Sequence, residues 1–299
     1  MYKSTQPNNI MKTSTSLPLL SILLALWSFD SNGQYANHPL DPLTWQEHWT
    51  LLETLHQEGK LDSETRFSIV NLQEPDKQMV WNWVPGDPAP RSAYAVVRQK
   101  DKSYKAVIDL KSKSVSSWEE LTDVQPNWLG EEFGAVIGEV KKHPDFIAAM
   151  KKRGIEDLTF IDCMCIPPGY YGTEEDRGRR VGHVHCNDVR GVRNNWTRGI
   201  EGLTVVVDMN EKKVIRVVDE GVVDMPSVSA DYDQASLGSP REIPGPIYQT
   251  QPMGPGFKID GNVIEWQNWR FHVRPDHRVG LVVSTVTYQQ GDDIRPVLY

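Results

Sequence analysis

The side chains best suited to chemistry lie in the HVHC segment, residues 183–186, and in Cys163 and Cys165 before it. Imidazole and thiolate groups are preferred ligands of zinc and copper, so this cluster could hold a metal ion. Successive strand residues point to opposite faces, however, which places the two histidines on one side and Cys186 on the other. There Cys186 could pair with Cys163 or Cys165 across the sheet. We favour the disulfide over the metal site, and one cysteine is then left free.

Other motifs give weaker signals. The alternative to the disulfide is a structural zinc site formed by Cys163, Cys165, His183 and Cys186. No Ser/His/Asp set, glycine-rich phosphate loop or carboxylate pair stands out, and the mixed charges of residues 174–180 are typical of a solvated loop. Asn195 begins an Asn-Trp-Thr triplet, a glycosylation acceptor only in an organism that glycosylates secreted proteins.

The charge balance restricts the expected binding partners, and the N-terminal segment indicates the cellular compartment. The 299 residues include 40 acidic and 32 basic side chains, so neither nucleic acid nor anionic lipid is an expected partner. Met11-Lys12 precedes an apolar run, residues 17–27, that is too short for a membrane span and typical of a secretory signal. We therefore predict a signal region over residues 1–33 and a secreted or periplasmic protein, in which cysteines can oxidise.

Residues 38–125 are predicted to form a small domain of one helix and about four antiparallel strands. Thr44 and Glu47 have the spacing of a capping box, so the helix begins after Thr44, and Gly59 ends it. Apolar residues at helical spacing predict its buried face: Trp45, Trp49, Leu52 and Leu55. Short apolar segments bounded by turn residues predict the strands, near 67–69, 79–83, 94–97 and 106–110.

The same order recurs over residues 130–225, which are predicted to form a second small domain. Its helical part carries an apolar face from Phe133 to Val140, and Pro144 opens a further turn. A hairpin of equal length in the two segments indicates an internal duplication. Matching residues recur at an offset of 99: Val107 with Val206, Asp109 with Asp208, Leu110 with Met209, and Val115 with Val214.

The composition changes after the second domain. Six prolines between residues 226 and 256 interrupt regular strands, so this stretch is interpreted as a linker. Three strands are then predicted, entered at Phe257, Val263 and Val279, and the alternating pattern continues to the last residues. Strands without a covering partner would expose large apolar side chains and unpaired edges, so we expect further chain to cover them.

Four segments in this order resemble the copper-containing amine oxidase family: HPLDPLT, KRGIED, IEGLTVVVDMNEKKVIRVVDEG, and FKIDGNVIEWQNWRFHVRPDHRVGLVVSTVTY with the final RPVLY. The resemblance runs from about His38 to Tyr299 and implies an α+β fold. Two tandem small helix-plus-antiparallel-sheet domains (38–125 and 130–225) and a proline-rich linker (226–256) would precede the first strands of a large β-sandwich catalytic domain (257–299). The resemblance to plant-like members also implies a disulfide between Cys165 and Cys186, with Cys163 free.

Complete members of the family oxidise primary amines to aldehydes and release ammonia and hydrogen peroxide. Their cofactors are a copper ion held by three histidines and a topaquinone made from the tyrosine of an Asn-Tyr-Asp/Glu triplet. No such triplet occurs in this sequence, and the nearest counterpart, Asp231-Tyr232-Asp233, lies in the linker. His183 and His185 resemble the copper His-x-His pair, but they lie in the second accessory domain, so no ligand role is transferred to them.

The resemblance therefore implies part of a copper- and topaquinone-dependent primary amine oxidase. In the family pattern the catalytic base, the quinone tyrosine and the copper histidines all lie beyond Tyr299. We expect this chain alone to contain no catalytic, cofactor-binding or metal-binding residue and to turn over no primary amine, and we expect the family homodimer only for a full-length protein. The alternative is a secreted, non-catalytic binding module made of the two accessory domains.

Overall fold

Three antiparallel β-sheets, of four, four and five strands, organise the described part of the chain. The computed structural model describes residues 36–169, 172, 174–228 and 230–299, so the predicted signal region lies outside it. Among these residues, no helix has the length and apolar character needed to cross a membrane. The predicted fold class is confirmed, because two helix-plus-sheet units in tandem precede a third sheet.

Helix α1 (Trp45–Gln57) packs on the first sheet. The predicted capping box is present: Thr44 Oγ1 accepts a hydrogen bond from Glu47 N at 3.2 Å, and Glu47 Oε2 accepts one from Thr44 N at 2.8 Å. Gly59 follows the helix with a φ of 64°, a conformation that favours glycine. The sheet has its strands in sequence order: β1 (Arg66–Gln73), β2 (Ser92–Gln99), β3 (Lys102–Asp109) and β4 (Ser114–Leu121).

The buried face of α1 differs from the prediction. Trp45 and Trp49 are 64% and 57% exposed. Leu55 is buried against the sheet as predicted and Leu52 packs partly buried on the same core, while Leu51 and Thr54 take the place of the two tryptophans. The leucines meet small side chains of β2 and β3. The predicted helical spacing was correct, but the side of the helix that carries the leucines, not the tryptophans, packs against the first sheet.

A second difference lies between β1 and β2. The segment predicted as a strand at 79–83 begins within helix α2 (Lys77–Asn82). Asp76 caps this helix, because its Oδ1 accepts hydrogen bonds from the backbone N–H groups of Gln78 and Met79. The N-cap outweighs the alternating apolar pattern of Met79, Trp81 and Trp83.

The second unit places α3 (Ile137–Lys142) and α4 (Pro144–Lys152) on a four-stranded sheet. Pro144 opens α4, as predicted. Val140, Phe146 and Met150 are fully buried against the strands. The strands again follow sequence order: β5 (Ile161–Ile166), β6 (Val181–Asp188), β7 (Leu203–Asp208) and β8 (Lys213–Asp219).

The two predicted matching hairpins, β3–β4 and β7–β8, have the same local geometry. A register shift falls between Val107 and Ile108 in the first and between Val206 and Val207 in the second. Each turn has a lysine with positive φ, 53° at Lys113 and 54° at Lys212. The aspartate that ends the first strand of each hairpin accepts two turn N–H groups. These equivalences at one constant offset support an internal duplication.

The third sheet follows a linker that contains the short helix α5 (Gln234–Leu237). Five strands replace the three predicted, because a two-residue turn at Gln267-Asn268, with a φ of 54° at Gln267, divides the second predicted strand. The predicted sheet pattern near the last residue forms a strand of its own. The strands are β9 (Phe257–Asp260), β10 (Val263–Trp266), β11 (Trp269–Asp276), β12 (Gly280–Gln290) and β13 (Asp293–Leu298).

The two faces of the third sheet differ sharply in polarity. The face towards the first unit, the docked face, includes Val263, Arg270, His272, Arg274 and Ser284. The opposite, open face is apolar: Phe257, Ile259, Ile264, Trp266, Trp269, Phe271, Val273, Leu281 and Val283. Several open-face side chains are largely exposed, Ile259 at 63% and Leu281 at 68%. This agrees with the expectation that strands at this end of the chain expose apolar residues.

The predicted disulfide between Cys165 and Cys186 is wrong, because the bridge joins Cys163 to Cys186. These two residues are directly opposite on β5 and β6, with 4.1 Å between their Cα atoms. Cys165 is opposite Val184 instead, which makes it a diagonal neighbour of Cys186, too distant for a bridge without backbone movement. Cys165 is a free, fully buried thiol.

Thiol titration is expected to find one free thiol per chain, and only after denaturation. Burial, helped by the charge of Glu132, raises the pKa of Cys165 to about 12, so the native thiol is neither exposed nor ionised. A peptide map under non-reducing conditions should contain the Cys163–Cys186 pair. Three thiols released by a chelator would instead support the zinc alternative.

The substitution Gly182→Ala is expected to lower the free energy of unfolding by about 1–3 kcal/mol through overpacking. A Cβ at Gly182 would lie 2.4 Å from Cys165 Sγ and 2.7 Å from Trp128 Cη2. Gly138→Ala is the matched control, since nothing lies within 4 Å of its Cβ position in α3, and alanine there should be neutral or stabilising. Urea unfolding of both variants checks the prediction, and equal stabilities would contradict it.

Candidate functional site

The main cluster of titratable side chains among the described residues is a buried polar contact between the start of the first unit and the third sheet. We call its members His38, Asp41, Asn262 and His272 the Asp41 node. Asp41 Oδ2 accepts hydrogen bonds from the backbone N–H groups of Asn37 at 2.7 Å and His38 at 2.8 Å. Asp41 Oδ1 accepts from Asn262 Nδ2 at 2.8 Å and His272 Nε2 at 2.9 Å.

The two histidine rings of the node are stacked. Their centroids are 4.3 Å apart with 20° between the ring planes, and Trp83 meets the His38 ring edge-on. Leu40 N donates to His38 Nδ1 at 3.1 Å, which places the proton of the neutral ring on Nε2. Local turn geometry in HPLD and the β11 register thus fix both rings.

Burial sets the charges of the node. It lowers the pKa of His38 from 6.5 to about 4, and the nearby His272 and Arg270 act in the same direction, while Asp41 opposes them. Burial alone would raise the pKa of Asp41, but hydrogen bonds from His272, Asn262 and two backbone N–H groups outweigh it and lower that pKa to about 2. At neutral pH the node therefore contains a neutral His38 beside an ionised Asp41.

The node has the residue types of a metal site but not the geometry of one. Ligand atoms of His38, Asp41 and His272 all lie within 4.8 Å of one another. The two oxygens of Asp41 already accept four hydrogen bonds, and the in-plane lone pairs of two stacked rings cannot converge on one ion. We conclude that the node joins the two parts of the fold and does not bind a metal ion.

Further polar contacts extend this junction. Arg274 on the docked face forms an ion pair with Glu74, and Asn71 donates to Asp276. At the end of the chain, Lys77 Nζ lies 4.6 Å from the centre of the Tyr299 ring. The third sheet is therefore held on the first unit by polar groups that are about two hundred residues apart in sequence.

Stability is expected to fall as the pH decreases from 6.5 to 4. In the unfolded chain His38 binds a proton with the ordinary pKa of 6.5, whereas in the folded chain its pKa is about 4. Between these two values the unfolded state binds more protons, so lowering the pH favours unfolding. The loss is up to about 3 kcal/mol for this shift. In His38→Asn, whose side chain can still accept from Leu40 N, this part of the pH dependence should disappear. Urea unfolding from pH 7 to 4.5 measures it, and parallel profiles would contradict the assignment.

The structure does not bring the sequence-predicted metal ligands together. His183 and His185 lie on one side of β6 with 6.5 Å between ring centroids, and no third ligand accompanies them within the described residues. Cys186 is in the disulfide. Asn195 lies exposed in the loop after β6, where its Nδ2 donates to Asp162 at 3.1 Å, and its glycosylation stays a prediction.

The linker triplet Asp231-Tyr232-Asp233 connects the linker to the loop after β6 by hydrogen bonds. Asp231 Oδ1 accepts from the backbone N–H groups of Arg193 and Asn194, and Asp233 caps α5. Tyr232 is 69% exposed. The triplet thus lies in a solvent-exposed loop.

The sequence alone does not predict the Asp41 node. His38 and Asp41 belong to the HPLDPLT segment, and His272 belongs to the last of the four family segments. The spacing of Asp41 three residues after His38 is a turn signal, but nothing in the sequence pairs it with a strand 231 residues away.

The comparisons with known proteins agree with this architecture. Family models match in order along the chain: the copper amine oxidase N2 domain at residues 38–121, the N3 domain at 131–235 and the enzyme domain at 258–299. A structural match is the copper-containing benzylamine oxidase from Hansenula polymorpha, with a TM-score of 0.65 and 20% identity, covering 84% of this chain and 42% of that one.

Curated relatives are also similar. The copper-containing amine oxidase gamma 2 of Arabidopsis thaliana is 34% identical over 275 residues, which cover 88% of this chain and 39% of the relative. The primary amine oxidase of Klebsiella aerogenes is 32% identical over 269 residues, covering 88% and 35%. The chain thus spans less than half the length of these relatives. It belongs to the copper amine oxidase family.

Proposed function

We propose that this chain is part of a copper- and topaquinone-dependent primary amine oxidase. Such an enzyme converts a primary amine, O2 and water into an aldehyde, ammonia and hydrogen peroxide. The observation that supports the proposal is the ordered match of the N2, N3 and enzyme-domain models to one chain, whose three sheets follow in the same order.

The residues of this chain do not fit the copper and quinone groups themselves. The sequence has no Asn-Tyr-Asp/Glu triplet from which topaquinone could form. The histidines of the Asp41 node are committed to hydrogen bonds and stacking, and His183 and His185 have no third ligand among the described residues. The proposed contribution of this chain is therefore the N2 and N3 domains and their junction with the enzyme domain.

Two measurements test the proposal. Sequencing the transcript past the Tyr299 codon should find an open frame that encodes an Asn-Tyr-Asp/Glu triplet and a His-x-His pair. The 299-residue chain, incubated with Cu²⁺ and benzylamine or methylamine, should form no peroxide and stain negative for quinone, whereas the extended protein should do both. Amine-dependent peroxide from the short chain would overturn the assignment. A stop codon directly after Tyr299 would favour the binding-module alternative.

We also propose export of the protein. The support is the N-terminal pattern of Met11-Lys12 and the apolar run together with the Cys163–Cys186 disulfide, since disulfides persist in oxidising compartments. Amino-terminal sequencing of the mature protein should begin near residue 34. A cytoplasmic product that retains residues 1–33 would contradict it.

A further inference from the structure

A cavity of about 540 Å³ lies between the first and second units, where residues of the β2–β3 and β7–β8 turns line a common surface. Four basic side chains line it: Arg66, Arg98, Lys100 and Lys212. All of its lining residues lie between positions 64 and 212, so the cavity is formed without the linker or the third sheet.

Arg98 is a buried arginine whose hydrogen-bond partner is a neutral group. It is 9% exposed, and its Nη2 donates to the side-chain amide oxygen of Asn210. Its Nη1 is shielded from water and has no hydrogen-bond partner among the described residues. Burial lowers the pKa of Arg98 and the nearby charge of Arg180 lowers it further, while Glu132 and Asp101 act in the opposite direction. A buried charge without a charged partner is costly, so this guanidinium favours an additional anion.

Two carboxylates of the cavity are already paired with other arginines. Glu132 accepts hydrogen bonds from Nε and Nη2 of Arg180, each at 2.6 Å. Glu131 Oε1 lies 3.0 Å from Nε of Arg66. These two acids therefore offset the charges of their own partners and leave Arg98 without a carboxylate of its own.

The two turns bring further positive charge to the cavity. Lys100 and Lys212 are exposed, and neither amine forms an ion pair with a carboxylate in the described part of the chain. Glu64 and Asp101 are the remaining, exposed carboxylates of the lining. Together with Arg98, the unpaired cations outnumber the unpaired carboxylates, so the charge left at the cavity is positive.

We propose that this cavity binds a small oxyanion of the phosphate type, held by Arg98 and by the exposed amines of Lys100 and Lys212. The anion replaces the Asn210 amide oxygen at Nη2 and supplies the missing acceptor at Nη1, since a guanidinium binds phosphate and carboxylate groups through two parallel N–H donors. Asn210 is an exposed turn residue, so its side chain can rotate away from Nη2. The inference is independent of the proposed enzymatic function.

Isothermal titration calorimetry of the 299-residue chain with inorganic phosphate tests the proposal, at pH 7 and constant ionic strength without other oxyanions. Saturable binding of one phosphate per chain is expected, and Lys212→Gln should weaken it several-fold because it removes one positive charge. Lys113→Gln is the matched control and should bind phosphate normally. Lys113 has the same place in the β3–β4 turn, with a φ of 53° against 54° at Lys212, but it does not line the cavity.

Asn210→Asp gives a sharper test, because the new carboxylate can pair with Arg98 and occupy the position of the anion. This variant should have a higher midpoint of thermal unfolding in phosphate-free buffer and bind phosphate at least tenfold more weakly. Arg98→Met should abolish binding. The unaltered protein should unfold at a higher temperature when phosphate is added, since a ligand that binds the folded state stabilises it.

Three results would overturn the proposal. The first is the absence of saturable phosphate binding by the unaltered protein. The second is binding that persists unchanged in Asn210→Asp and Arg98→Met, because the anion would then lie elsewhere. The third is equal weakening in Lys212→Gln and Lys113→Gln, because phosphate would then respond to the overall charge of the chain and not to this cavity.

Discussion

Replacing Arg180 with methionine is expected to lower the free energy of unfolding by about 3–5 kcal/mol, since it leaves the largely shielded carboxylate of Glu132 without its partner. The side chain of Arg180 is fully buried, and its Nε and Nη2 each lie 2.6 Å from an oxygen of Glu132. Nη1 and Nη2 also donate to the carbonyl oxygens of Pro126 and Asn127. One guanidinium thus holds the segment between the two small units against the second sheet.

The pH dependence of this variant identifies the mechanism. Burial alone would raise the pKa of Glu132, but hydrogen bonds from Arg180 and Leu129 N outweigh it and lower that pKa. Without Arg180 the folded protein should favour the protonated acid, so the destabilisation should be large at neutral pH and shrink in mild acid. Arg180→Met combined with Glu132→Leu should recover part of the loss, because it removes both buried charges.

A matched control compares the stability effect of the Arg180–Glu132 pair with that of an exposed ion pair. Arg177 lies 3.9 Å from Glu174, and both side chains are largely exposed. Arg177→Met should therefore change stability by less than about 1 kcal/mol. Guanidinium unfolding at pH 7 compares the two variants, and equal effects would show that the Arg180 pair contributes no more than a surface pair.

The substitution Asp41→Ala is expected to have a similar effect, about 3–5 kcal/mol, and to act at a different place. It removes the acceptor of four hydrogen bonds, two from the third sheet and two from the backbone N–H groups of Asn37 and His38. The donors of half-buried Asn262 and buried His272 would then lack a partner. The third sheet should lose its attachment before the two small units unfold.

Limited proteolysis can detect this selective loss. Arg241 lies in the exposed linker, so brief trypsin treatment should cut there and leave residues 242–299 held only by noncovalent contacts. In the unaltered protein the two fragments should coelute at neutral pH, and in Asp41→Ala they should separate. Asp260→Ala, at an exposed carboxylate of the β9–β10 hairpin, is the control and should coelute like the unaltered protein. Coelution of the Asp41→Ala fragments would contradict a joining role for the node.

The sequence predicted local features well where a few adjacent residues decide them. The capping box at Thr44, the glycine after α1 and the proline that opens α4 all depend on contacts within about one helical turn. The matching hairpins were visible because Val107, Asp109 and Val115 recur as Val206, Asp208 and Val214 at a constant offset. The family segments were likewise recognised directly in the sequence.

Local patterns misled where two signals competed. The alternation of Met79, Trp81 and Trp83 resembled a strand, but the Asp76 cap gave a helix. The alternating segment from Val263 to Val273 resembled one strand, but the backbone turns at Gln267. Two cysteines on one strand could each have reached Cys186, and only the register of β5 against β6 selected Cys163.

By itself the sequence determined the family, the α+β order of the two small units and the apolar, alternating character of the final strands. Only the tertiary structure decided which face of those strands turns outwards and which side chains form the junction. The physical reason is that a hydrogen bond between Asp41 and His272 depends on how three sheets pack, and residues 231 positions apart carry no local signal of their contact. Pairing and packing over that distance are properties of the assembled fold.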